Sequence, residues 1–166
     1  MRSDDAEARK VDMLDRIRTA HARLEHVVAS LTYGQLETEG VSGEWSVKVT
    51  LGHITWWEQV PVHAFHGEAD EDILPDEAWD TDRANAVLFA RNRDRQLAYV
   101  LEAFQASYAG LLRELEALPA ARLDEPGPYG GSLLELIAGN TYDHYDEHAN
   151  LLAAVFGISL PQPPQR

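Results

Sequence analysis

Four stretches of this chain set apolar residues three and four apart, and in the last of them two histidines stand in the apolar stripe. Leu134, Ile137, Thr141, His144, His148, Leu151 and Val155 share one face of a helix at that spacing. A helix with such a face must bury it against other helices. Burying an imidazole without a polar partner is costly, so the interior has to offer His144 and His148 something to bind. A third histidine, His53 in LGHITWWE, takes an inward position on a separate predicted helix about ninety residues upstream.

The remaining stripes define the rest of the fold. Val11, Leu14, Ile17, His21, Leu24, Val28 and Leu31 predict a first helix from Asp5 to Leu31. Thr32 to Gln35 reads as a capping box opening a short helical turn. Glu39 to Glu44 carries turn residues and is expected to be a loop. The second helix starts at Trp45-Ser46 with Ser46 as its N-cap, and faces inward through Val49 or Thr50, His53, Trp57, Val60 and Ala64. Pro61 must kink or end it, because proline has no N–H to give. The third helix is predicted as the longest, from Asp82 to Leu118. Its stripe is Leu97, Leu101, Phe104, Tyr108, Leu111, Leu115 and Leu118, and Pro119 stops it. Ser132 to Glu135 is a second capping box opening the fourth helix, which Gly157 ends. Sustained period-two runs are missing. The expectation is an all-α chain, a single four-helix bundle over 1–160 with a polar tail at 161–166. A long acidic connection containing Trp79 would join the second and third helices.

The chain has 166 residues and no cysteine, so a metal would have to use nitrogen and oxygen ligands. No apolar run approaches a membrane span, and the charged start MRSDDAEARK does not read as a secretory signal. A cytoplasmic protein without a membrane partner is expected. The formal charge is −14. Such a surface repels phosphate backbones, so no nucleic-acid partner is expected. Acid gathers between Glu68 and Asp82, as a solvated loop or as a rim that favours cationic or neutral ligands.

Two histidines four apart on a helix point the same way, which suits capture of one ion. With His53 they make a three-imidazole set that leaves a coordination position open, the pattern of a catalytic site. Zinc, nickel or ferrous iron would fit. A water there becomes a usable nucleophile, or an incoming thiolate is activated. The competing reading is a hydrogen-bonded structural network. Glu147 directly precedes His148, which is the wrong place for the glutamate of an HExxH protease. Trp57 shares the face of His53 and is placed at a pocket wall. Asn140 and Tyr142 are candidate ligand contacts, with Thr141, Asp143, Glu147 and Glu58 as candidate supports for the ligating rings. His21, His26, His63 and His66 are left outside the site.

The run from Gly43 to Glu58, GEWSVKVTLGHITWWE, followed by NTYDHYDEH from Asn140 to His148, resembles the DinB-like four-helix-bundle superfamily and, within it, the ClbS/DfsB branch. That resemblance covers almost the whole chain. It implies an up-down-down-up bundle with a divalent metal on His53, His144 and His148. Its superfamily includes thiol-dependent transferases and isomerases, and the branch includes hydrolases that disarm a strained-ring genotoxin. The leading expectation is therefore a small metal-dependent hydrolase that detoxifies an electrophilic small molecule. The alternatives are a thiol-dependent (mycothiol-type) S-transferase or isomerase using a low-molecular-weight thiol, and a non-catalytic protein that sequesters a drug. Either a monomer or a homodimer is compatible with this reading.

Overall fold

The computed structural model describes residues 2–68 and 80–161. Most of the expected acidic connection, with Trp79, and the tail after 161 lie outside the described residues. Among the described residues the architecture is helical, with one two-stranded hairpin. Among the described residues no helix is long and apolar enough to cross a membrane. The chain gathers into two compact units, one from Met1–Thr32 with Leu112–Arg166 and one from Tyr33–Leu111.

In the first unit, α1 (Arg2–Ala29) packs against α8 (Tyr142–Phe156) and a 3₁₀ turn at Ala120–Asp124, while α7 (Leu133–Asn140) packs on α8. The buried face of α1 is Met13, Leu14, Ile17, Ala20, His21, Leu24 and Val27. Val11, expected inward, is exposed. Guanidiniums fasten α8 to α1: Arg23 pairs with Asp146, and Arg16 lies 3.8 Å over the ring of Tyr142 and 3.6 Å from Asp143. The Ser132 capping box is formed in both directions and opens α7. Gly157 closes α8 in the left-handed conformation, at φ 65°.

The fourth helix, expected to be continuous, is broken at Thr141. Its backbone leaves the helical region at φ −127° and ψ −100°. Its hydroxyl donates 2.6 Å to the carbonyl of Ile137, the back-bond by which a threonine bends a helix. The break shifts the inward face by one residue, about a hundred degrees of rotation at 3.6 residues per turn. After Ile137 the buried positions are Thr141 at the break, then Tyr142, Tyr145, Ala149, Leu152 and Ala153. Leu151 is half-buried and Val155 is exposed, and the two histidines stand half-buried at the flank of the apolar face, not along its centre.

In the second unit, α2 (Tyr33–Glu37) leads into β1 (Glu39–Ser42), which pairs antiparallel with β2 (Trp45–Ser46). The loop expected at 39–44 is thus largely a hairpin strand, with Gly43 at φ 60° in its two-residue turn. Ser46 caps α3 (Val47–Trp57), accepting from the amide of Val49 at 3.3 Å. Pro61 falls in the first turn of a new helix, α4 (Val60–His66), so the predicted second helix ends at Trp57. The long third helix is likewise two: α5 (Thr81–Arg93), capped by Asp80, and α6 (Leu97–Ala117). The buried amide of Asn92 marks the interruption, donating 2.8 Å to Leu88 and accepting from Arg95 at 3.3 Å. Lys48 adds a bond to the carbonyl of Arg93 at 3.0 Å.

α3 packs on α5 at Gly52, where a Cβ would fall 2.3 Å from Cγ of Asn92. Only hydrogen fits there. Gly52→Ala should therefore destabilise the protein by about 1–3 kcal/mol through overpacking. The check is the urea midpoint, which should fall with the slope unchanged. An unchanged midpoint would mean that the two helices do not need this close approach.

Candidate metal centre

His144 and His148 lie one turn apart near the start of α8. Their Nε2 atoms are 2.9 Å from one another, and the ring centroids are 4.6 Å apart. Two ring nitrogens at this distance cannot both carry a proton toward each other. Either one ring donates to the other, or both turn lone pairs toward a shared ion.

Burial decides the protonation state. It pushes His144 down to about 3, with the neighbouring His148 adding to the effect, and it pushes His148 down to about 4. Both rings are neutral at physiological pH, which is the form that ligates metals. His21, 1% exposed on α1, is also lowered to about 4 by burial, against the opposing pull of Glu25 at 3.5 Å. Its ring meets Tyr145 edge-on at 5.3 Å, so the face of α8 next to the histidines is backed by a second neutral imidazole layer.

His53 is buried in the middle of α3, in the second unit. Trp45 on β2 meets its ring edge-on at 5.2 Å, and Trp57, one turn along α3, lies at 6.0 Å. Trp57 is held in turn by an indole N–H bond to Asn85 Oδ1 at 3.1 Å. The hairpin turn at Gly43 delivers Trp45 to this place, and the Ser46 cap starts the helix that carries His53.

His144 and His148 in the first unit and His53 in the second each offer one ring nitrogen of the kind that could hold a metal ion. The donor set suits a borderline divalent ion such as zinc, nickel or ferrous iron, being all imidazole and free of thiolate. Of the other predicted site residues, Trp57 is buried beside His53. Asn140 ends α7, and its Nδ2 donates 2.8 Å to the carbonyl of Leu136. Tyr142 is buried under the Arg16 guanidinium, and burial raises its hydroxyl above the ordinary range.

The sequence offers two further residues, Trp45 in the aromatic cluster around the second helix and Glu58, without fixing their place. Trp45 precedes the helix and had no periodicity to place it against His53. Glu58 lies five residues after His53, off its face, yet is wholly buried, because α3 ends at Trp57 and the chain turns there. The break at Pro61 was the available signal that face assignments beyond Trp57 would not hold.

The lowered histidines set a pH dependence in metal-free protein. Between the unfolded value near 6.5 and the folded values of about 3 to 4, the unfolded chain holds protons that the folded chain does not. Stability is therefore complete above pH ~6.5 and falls as pH drops toward 4. Each such histidine contributes up to about 1.4 kcal/mol per pH unit across that window. Urea unfolding of the apo-protein should show this slope, and it should shrink in His21→Phe. A stability independent of pH across the window would show the rings to be solvated.

The sequence profile of the DinB superfamily matches residues 16–148. No curated protein sequence gives a match. Among solved structures, the colibactin self-resistance protein ClbS in complex with double-stranded DNA is similar over 89% of this chain and 95% of its own, at 17% identity and a TM-score of 0.73. An uncharacterised protein from Escherichia coli UTI89 is similar over 91% of this chain and 96% of its own, at 13% identity and a TM-score of 0.71. These likenesses establish the fold. They also correct the expectation, drawn from the −14 charge, that there is no nucleic-acid partner, since ClbS is seen holding a DNA duplex. Net charge sums over the whole molecule, whereas phosphate contacts are made locally, so the sum cannot exclude them. With the helical fold, the three-histidine group and the match over most of its length, the chain belongs to the DinB superfamily.

Proposed function

We propose that this protein is a small metal-dependent hydrolase that disarms an electrophilic small molecule, in the role of a self-resistance protein. The observation that carries this reading is the three-imidazole donor group of His53, His144 and His148. The self-resistance role named for ClbS is what suggests a genotoxic electrophile as the substrate class.

In this reading His53, His144 and His148 hold one divalent ion. Such an ion supplies Lewis acidity, lowering the pKa of a water and polarising an electrophile. Three protein ligands leave at least one position for substrate or water. Because burial already keeps His144 and His148 neutral, they need lose no proton on binding the ion at neutral pH. Trp45 and Trp57 fix the His53 ring from two sides and keep bulk water from it. Asn140 ends α7, just before the break at Thr141, and is proposed as a ligand contact through its amide oxygen, its N–H₂ being bonded to Leu136. Tyr142 contributes by seating α8 on α1 beneath Arg16.

The test is turnover of a strained-ring alkylating agent in water enriched in the heavy oxygen isotope. The expected result is a ring-opened product carrying solvent oxygen, with the rate reduced more than about 100-fold in His148→Ala while the helical circular dichroism is retained. A product that forms only when a thiol is added, and that carries sulfur, would replace hydrolysis with thiol transfer. Stoichiometric protection with the agent recovered intact would make the protein a sequestering one.

A further inference from the structure

The second unit contains a pocket of about 420 Å³ that the metal reading does not use. Its lining includes Trp45 from the hairpin and Asn85 and Phe89 from α5, with Glu44 in the hairpin turn and Asp82 in the first turn of α5. The rings of Trp45 and Phe89 lie 5.9 Å apart at 35°, a tilted aromatic wall. Both rings are half-buried, so each keeps surface for a ligand, while Glu44 and Asp82 are exposed. Among the described residues the lining contains two carboxylates and no lysine or arginine.

This combination has a definite preference. An aromatic face attracts a cation through its ring quadrupole, and a nearby carboxylate adds a direct charge partner. A flat apolar body fits against the wall, and the two exposed acids draw a positive group to its rim. An anion in the same place would face two negative charges with no compensating base. The pocket is also one contact from His53 along two routes. Trp45 touches the His53 ring at 5.2 Å, and Asn85 holds the indole of Trp57, which lies 6.0 Å from that ring.

We infer that this pocket binds a flat aromatic small molecule bearing a positive charge, a protonated amine, and so selects cationic electrophiles for the chemistry at His53. The last clause rests on the proposed function, while the binding preference does not.

The probes are naphthylmethylammonium and its neutral counterpart naphthylmethanol, titrated calorimetrically into the purified full chain and into His148→Ala. The ammonium should bind about tenfold more tightly than the alcohol in both proteins, because the pocket does not need the metal. The preference should vanish in the double variant Glu44→Gln/Asp82→Asn, whose side chains are exposed and whose fold is checked by circular dichroism. Phe89→Leu, which keeps apolar bulk but removes the ring, should weaken both probes. Equal affinity for the two probes, no binding of either, a preference that survives in the double variant, or unchanged binding in Phe89→Leu would each overturn the inference. If the ammonium binds as described but no turnover is found, the pocket stands and the hydrolase reading falls.

Discussion

The pair of imidazoles at the start of α8 is the constraint on which the rest depends. Its nitrogens are 2.9 Å apart and burial keeps both rings neutral. Such a pair is sustained only if its helix is held firmly and dehydrated on one side. Arg16 and Arg23 on α1 supply the hold, through the Tyr142 ring and Asp146. Tyr145, with His21 behind it, supplies the dry backing. Surface ion pairs of this kind contribute little stability singly, so their use here is to fix the rotation of α8 more than to strengthen it.

That rotation is where sequence and structure part. Features set by a few neighbouring residues were legible: the Ser46 cap, the reciprocal box at Ser132, the Gly157 stop and the effect of Pro61 all follow from backbone groups that need partners within one turn. The face of α8 was not, because a stripe read at constant helical pitch assumes that no residue interrupts it. Thr141 does so with a hydroxyl that could as well have bonded elsewhere. The same limit hid the break at Asn92, whose amide bonds back to Leu88 once Gly52 has let α3 come close. The His144–His148 pair was nonetheless legible, since a one-residue shift leaves an i, i+4 pair together. The whole-chain charge was the least informative quantity, since it is blind to where charge sits.

The fold itself does not name a reaction, because one bundle serves many sites. What distinguishes this chain is chemistry at particular positions. In the proposed reading, three imidazole donors would hold an ion that supplies Lewis acidity and keeps room for a further ligand. Trp45 meets the His53 ring and also lines an aromatic, acidic pocket, so one side chain both orients His53 and forms a place where a ligand can lie. In the proposed reading, a positively charged electrophile would lie in the pocket beside His53.

The most direct test of this account is the metal content of protein purified without an affinity tag, measured by elemental analysis beside His53→Ala and His144→Ala. The account predicts about one transition-metal ion per chain, lost in both variants while the helical fold remains. Metal-free protein that takes up no zinc, nickel or iron when these are supplied would contradict it, and would leave the three histidines as a hydrogen-bonded network.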